Sequence, residues 1–521
     1  MQYSSMSFEG LSSQTLMVTR SGILVMAAVV GVLISFVFYI LLVVIKKSSK
    51  TSKFQSLPTL PVGPWTFLRA SAEGKIPSSF LQWHREHQDT VGQIYKVWSP
   101  VALFSLFSSP LALALNKDKL KFVVITDPRV ARKFLTDSLT VKPEKIYARF
   151  KPLHDRRIDT MLIANGHRWF HARKAMNVAF SSSHIKRMRN VTVTKVEEFM
   201  KKLDKLEQQN KDGEGGGAGC FDVGKEMVGL TLKVICDAAF QYQMSDEEQE
   251  EFVKDLVLAM KEQQKASIPL RWRLGKFIPT VREARTASRA LQDMAAKMLN
   301  HYRMMENPIP NTVIDCIAKN QSYDNDHERM ADMVLLLIAG HDTTAYSIAF
   351  TLLELAKHPE EQAKLRNDLG SSSLEEQLQS STLSHVIKEG MRLNSVAPMG
   401  GARISSKDFV DKETNIVIPK HTMVTLPSVL MLRDERYFPN PDSFQPSRWE
   451  NASKDAADAF MPFLVGKRNC VGQSLANAEM KTVLSMLCSQ YEISVEEEGS
   501  RTHFVTYKPV KCLLKARKLL I

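Results

Sequence analysis

Cysteine is scarce in this chain. Six residues in 521 (Cys220, Cys236, Cys316, Cys470, Cys488 and Cys512) stand far apart with no C-x-x-C pair. That spacing argues against a disulfide scaffold or a structural zinc site. No run of Lys and Arg interleaved with aromatics marks a nucleic-acid groove, so no nucleic-acid partner is expected. Nor is there a flavin or nicotinamide fingerprint. The glycine-rich stretch Lys211–Gly219 follows a charged helical segment instead of a strand, which reads as a surface linker and fails the context of a phosphate loop. Acidic residues are outnumbered, 56 against 69 Lys and Arg, for a net charge of +13. The excess favours acidic partners or an anionic membrane face. A hydrophobic fraction of 44% with 24% charged residues is ordinary for a globular protein with a sizeable core.

The longest uncharged run is Ser21–Ile45. As a helix it would measure about 37 Å, enough to cross a hydrocarbon core of about 30 Å with some tilt. The run is too long for the apolar part of a cleaved signal peptide. Lys46, Lys47, Lys50 and Lys53 follow it and only Arg20 closely precedes it, so everything after Ile45 is expected in the cytosol. The expected organisation is a short tail over 1–20, an anchor over 21–45, a basic and proline-rich linker over 46–66 and one catalytic domain over 67–521. Pro58, Pro61 and Pro64 make the end of that linker stiff and extended.

Downstream, helical patterns dominate and strands are sparse. Lys121–Thr126 reads as a strand, and Asp127-Pro128 opens a helix. Trp169 and Arg173 lie four apart on one helix face. Phe221–Phe240 has helical apolar spacing. Met330–Leu355 is a long apolar helix, with an interruption expected at Ala339-Gly340-His341-Asp342-Thr343-Thr344, where glycine and hydroxyl residues are poor helix choices. Glu389 and Arg392 are three apart on a helix, and Phe444-Gln445-Pro446-Ser447-Arg448-Trp449 adds a second arginine in an irregular stretch.

Phe463-Leu464-Val465-Gly466-Lys467-Arg468-Asn469-Cys470-Val471-Gly472 organises the rest. Gly466 and Gly472 allow tight turns, and Phe463 offers an aromatic face to sulfur. The helix-forming run from Gln473 places Cys470 just before a helix N-terminus, where exposed amides and the dipole stabilise a thiolate. A lone cysteine is more often a buried structural residue. A thiolate beside an arginine suits an iron porphyrin, with sulfur to the metal and guanidinium to a propionate.

This stretch resembles the F-x-x-G-x-R-x-C-x-G signature of the cytochromes P450. The A-G-x-[DE]-T-T, E-x-x-R and F-x-P-x-R-[FW] elements of that family stand before it in the family's order. The resemblance covers Pro58 to the C-terminus. It implies a mainly α fold with a small β portion, holding haem b with Cys470 as axial thiolate. Phe463, Gly466 and Arg468 would belong to the haem site, Trp169 and Arg173 would grip the propionates, and Ala339 and Gly340 would open the groove above the iron. Thr343 would hydrogen-bond the reduced dioxygen and Asp342 would relay protons to it. Glu389, Arg392 and Arg448 would form one buried structural network. Three positions depart from the pattern: Ser395-Val396 where a proline pair is common, Ser447 for glutamate, and Arg403 one position further from Arg392 than a propionate ligand should be.

The implied activity is monooxygenation of an apolar small molecule at the endoplasmic reticulum membrane. Electrons would come from NADPH through a separate cytochrome reductase docking on a basic face around Lys467 and Arg468, with cytochrome b5 as a second donor. The alternatives are a haem-thiolate hydroperoxide isomerase or lyase, against which Asp342-Thr343 argues, and a non-catalytic haem sensor. Substrate specificity is expected in Lys142–Ala164, Ser395–Ala402 and the hairpin at Arg501–Thr506.

Overall fold

The computed structural model describes residues 57–98, 121–137, 140–147, 150–151, 158–211, 219–263, 275–503 and 505–519. The anchor expected at Ser21–Ile45, its flanks up to residue 56 and the glycines at 213, 215, 216 and 217 lie outside them.

A 32-residue helix, Asp326–Lys357, is the axis of the fold. Asn325 caps it by accepting the Glu328 amide, with Asp326 and Glu328 in the first turn and Lys357 in the last, matching the helix dipole at both ends. It is long and apolar enough to cross a membrane. Its residues from Ala331 to Ile338 and from Thr344 to Leu355 are instead buried in the protein's own core. Around it pack the helices Val223–Phe240, Pro279–Met304, Ser381–Leu393 and Gln473–Gln490.

The expected interruption at Ala339–Thr344 is absent: the helix runs unbroken through it. Packing explains why the poor helix formers are there. A side-chain carbon on Gly340 would lie 2.1 Å from Ile235 Cδ1, so only glycine lets the Val223–Phe240 helix approach this closely. Thr343 satisfies its hydroxyl within the helix, donating to the Ala339 carbonyl at 2.9 Å.

The β portion is small. A five-stranded sheet has the order β1-β2-β8-β5-β3, comprising Ile94–Trp98, Lys121–Ile125, Met423–Leu426, Gly401–Ser405 and Thr140–Val141. Its pairs are antiparallel except β2 with β8. β4 (Gly219–Asp222), β12 (Leu513–Lys518) and β9 (Tyr491–Glu497) form a second sheet. β6 (Phe409–Asp411) pairs with β7 (Ile416–Ile418), and β10 (Ser500–His503) with β11 (Tyr507–Val510). Strand and helix at Lys121–Thr136 form as their sequence predicts, with Asp127 accepting the Arg129 and Val130 amides ahead of Pro128. The helix expected from Phe221 starts two residues later, because Phe221 and Asp222 pair in β4 and Asp222 caps the helix.

The proline-rich connector is docked from Leu57 onward. Leu57, Leu60 and Val62 are buried, and the Leu60 amide donates to the Lys96 carbonyl at 2.9 Å. The last part of the expected linker is therefore packed onto the domain, and Pro64 begins a helix.

Candidate active site

Cys470 stands on a loop whose shape is set by two residues at positive φ, Leu464 and Gly466. A side-chain carbon on Gly466 would sit 2.5 Å from the Leu135 carbonyl oxygen, a contact no L side chain could keep. The loop closes through the Cys470 amide, which donates to the Phe463 carbonyl at 2.9 Å. Gly472 stands in a turn as expected, but at φ −85° and ψ 9°, a conformation open to other residues, and a side-chain carbon there would meet nothing within 4 Å. Its free side opens into a cavity of ≈ 380 Å³ that also receives Cys470.

Helix Gly166–Ala179 clamps the loop from outside. Arg173 donates to the Asn469 carbonyl at 2.6 Å and to its side-chain oxygen at 2.7 Å. Trp169, one turn earlier, underlies Arg468, whose guanidinium carbon is 3.8 Å from the ring centre. Arg468 also donates to the Ala164 carbonyl and the Asn165 side chain, both at 2.8 Å. It is thus folded inward, which corrects the expectation that it offers charge to a docking partner. Lys467 beside it is exposed.

Across the cavity lies the central helix, with Ala339, Gly340, Thr343 and Thr344 in the wall. The Asp342 carboxylate is turned away from it and accepts the Thr506 hydroxyl at 2.5 Å. Tyr346 lies beside the same carboxylate, and its phenol is held above its ordinary range by burial and by that charge. The structure therefore brings Cys470 and Thr343 to one cavity and seats Asp342 behind the wall.

Four cations also line the cavity: Lys142, Arg173, Arg403 and Arg468, with no Asp or Glu among its described lining residues. Arg403 is 1% exposed, and its Nε and Nη2 find no hydrogen-bond partner among the described residues, nor does Arg468 Nη1. Burial and the three arginines push the Lys142 ammonium well below its usual range. Burial, and then Arg403, lowers Arg468 to about 10. So much buried positive charge without a counter-ion calls for an anionic ligand at this edge.

Burial also raises the Cys470 thiol, outweighing the Gly472 amide, Arg173 and Lys142, which act in the opposite sense. A coordinated metal ion deprotonates such a thiol outright. Apolar walls, a cationic edge with orphaned guanidinium nitrogens, and open space above Cys470 and Gly472 together fit an iron porphyrin with two propionates.

Behind the site, Glu389 and Arg392 are both fully buried and paired twice at 2.8 Å. Glu389 also accepts from Arg448 at 2.9 Å, the Gln445 amide at 2.9 Å and the Trp449 indole at 3.0 Å. Arg392 donates onward to the carbonyls of Leu432, Pro441 and Ser443. Trp449 is a member that sequence reasoning did not assign.

A haem-thiolate pocket closed by a long helix defines the class. The cytochrome P450 family model matches residues 114–519, and the chain belongs to that family. Among its relatives is the probable cytochrome P450 4e1 of Drosophila melanogaster, 24% identical over 527 residues, covering 93% of this chain and 90% of that protein. Cytochrome P450 4A7 of Oryctolagus cuniculus is 25% identical over 363 residues, covering 64% and 69%. The mitochondrial 25-hydroxyvitamin D-1 alpha hydroxylase of Homo sapiens is 34% identical over 177 residues, covering 32% and 34%. The protein is accordingly a P450 monooxygenase, an oxidoreductase with a haem-thiolate site, a redox partner and a small-molecule substrate.

Proposed function

We propose that the chain inserts one oxygen atom of dioxygen into an apolar small molecule, with electrons from NADPH delivered by a separate membrane-bound cytochrome reductase and cytochrome b5 as a second donor. The observation that carries this reading is that Cys470 and Thr343 face one another across a single, largely apolar cavity. Haem b bound there supplies oxygen activation and the oxidising power. The chain's own residues bind, orient and hold protons. Cys470 supplies the axial sulfur, and Arg403, Arg468 and Lys142 the counter-charge for the carboxylates. Trp169 and Arg173 keep the loop and Arg468 in place, by stacking and by hydrogen bonds. Leu335, Leu336, Ile235, Phe240 and Val396 exclude water and favour an apolar substrate.

The Thr343 hydroxyl donates its hydrogen bond to the Ala339 carbonyl, so its oxygen is left to accept from a water or another donor in the cavity. Asp342, next to it, takes protons from the side of Thr506 and Tyr346, and must swing from Thr506 to pass them inward.

The reductase would dock behind the Cys470 loop, where a hollow of ≈ 710 Å³ is lined by Lys388, Lys481, Phe463 and Gly466 with no acid among its described residues. Exposed Lys467, on the same loop, adds to its charge. Reconstitution with a cytochrome reductase should give NADPH and oxygen consumption that depends on the reductase and yields oxygenated product. Rearrangement of a hydroperoxide without NADPH would instead establish the isomerase or lyase reading, and haem binding without either activity the sensor.

The anchor over Ser21–Ile45 and the lysines after it support single-pass attachment to the endoplasmic reticulum membrane with the domain in the cytosol. The sequon at Asn190 should then stay unmodified in a eukaryotic host, and a glycosidase-sensitive mass shift there would reverse the orientation.

A further inference from the structure

Asp332 is a fully buried acid on the central helix, two turns before Ala339, where a carboxylate is costly unless it is used. Its two oxygens accept two donors from outside the helix. Oδ1 takes the Met161 amide at 2.6 Å and Oδ2 the Tyr323 hydroxyl at 2.7 Å.

The first of these partners reaches the cavity. Residues 158–164 form an irregular strap with a turn closed by Ile163 and Ala164 amides onto the Thr160 carbonyl, at 2.9 and 2.8 Å. Met161 and Leu162 at its crest line the cavity. Two anchors hold the strap on the Cys470 side: Lys142 Nζ donates to the Leu162 carbonyl and Arg468 to that of Ala164, each at 2.8 Å. Asp332 is an anchor on the opposite, central-helix side.

We propose that Asp332 is a positioning residue of the substrate chamber: by accepting the Met161 amide it pins Met161 and Leu162 into the cavity wall and so limits what can enter. This rests on the cavity being the haem chamber proposed above. The strap lacks helix or strand hydrogen bonding, so its backbone position depends on such side-chain anchors. A carboxylate suits the task because both partners are donors, and an ionised acceptor makes the stronger bond.

The charged surroundings tell when that carboxylate exists. Burial pushes Asp332 up to about 6; the Tyr323 hydroxyl, the Met161 amide and Arg168 oppose the rise, and Glu328 adds to it. Arg168 is itself paired with Glu328 at 2.7 Å, and Arg329 lies 5.6 Å from the Tyr323 ring. Asp332 is therefore ionised above pH about 6 and loses its charge, and with it the stronger grip on Met161, below.

The test uses the full-length, haem-loaded protein. Phenyl isocyanide, a bulky haem ligand without a titrating group, is mixed with the reduced protein, and its association rate is read beside amide hydrogen exchange across 158–164. At neutral pH, Asp332→Ala should speed both by about tenfold, the worth of one hydrogen bond to a charged acceptor. Tyr323→Phe removes the other hydrogen bond to the same carboxylate but leaves Met161 bound, and should stay within about twofold of wild type. The wild-type rate should rise as pH falls through about 6, towards that of the isosteric Asp332→Asn, whose own rate should not change with pH. A wild-type association rate and wild-type exchange in Asp332→Ala would overturn the proposal. So would equal acceleration in Tyr323→Phe, since that marks a general loosening. If Asp332→Ala fails to retain haem, the pH response of Asp332→Asn decides in the same way. Loss of the haem spectrum in the wild-type protein would count against the chamber itself, not against the strap.

Discussion

Replacing Glu389 by Ala should cost about 3–5 kcal/mol, the usual penalty for removing one partner of a buried ion pair. Against a total stability of about 5–15 kcal/mol that is a large share, so the unfolding temperature should fall clearly. Four groups donate to the Glu389 carboxylate: Arg392, Arg448, Trp449 and the Gln445 amide. Without it, Arg392 remains fully buried, held by neutral carbonyls alone. Glu389→Gln keeps one acceptor and the shape, and should lie between the two. Thermal unfolding followed by the haem absorbance measures the order. A Glu389→Ala protein that melts with the wild type would remove the network from the account of stability.

The second large effect is catalytic. Thr343→Ala should leave the fold nearly untouched, since one hydroxyl bonded within its own helix is worth about 1 kcal/mol. The proton-positioning role proposed for it would be worth about 10²–10⁴-fold, the range of general acid–base catalysis. Reduced oxygen would then leave the cavity as hydrogen peroxide before the O–O bond breaks. NADPH consumption would continue while product falls. Asp342→Asn should act differently, slowing turnover as a whole, because the proton supply is cut behind the wall and not at it. The assay is the ratio of hydrogen peroxide to product formed per NADPH. An unchanged ratio in Thr343→Ala would take proton handling away from this residue and revive the isomerase reading.

What could be read from the sequence follows from how locally each feature is determined. The proposed metal ligand, its loop glycine and the helix after it lie within one short run, so the turn at Gly466 and the helix starting at Gln473 were legible around Cys470. So were the strand and capped helix at Lys121–Thr136, which a proline and an aspartate punctuate. The unbroken central helix was not. Gly340 and Thr343 are poor helix formers taken singly, and only the closeness of Ile235 shows that packing fixes the glycine.

Contacts between distant segments were equally hidden. Asp342 and Thr506 are 164 residues apart, and no spacing rule joins them. Arg403 looked misplaced by one position when counted from Arg392. β5 nevertheless carries it, fully buried, into the cavity wall, because strand register and not the count from the helix sets where it points. Lys142 belongs to no motif, and only its cluster with three arginines shows the demand for an anion.

The account stands on Cys470 as the axial sulfur. The direct measurement is the carbon monoxide difference spectrum of the reduced protein, wild type beside Cys470→His. The wild type should show the red-shifted band of a thiolate-ligated ferrous haem. The variant should bind haem without that band, shifted to the absorbance of a histidine-ligated site. A Cys470→His protein that keeps the red-shifted band would show that another residue ligates the iron and would contradict the site described here.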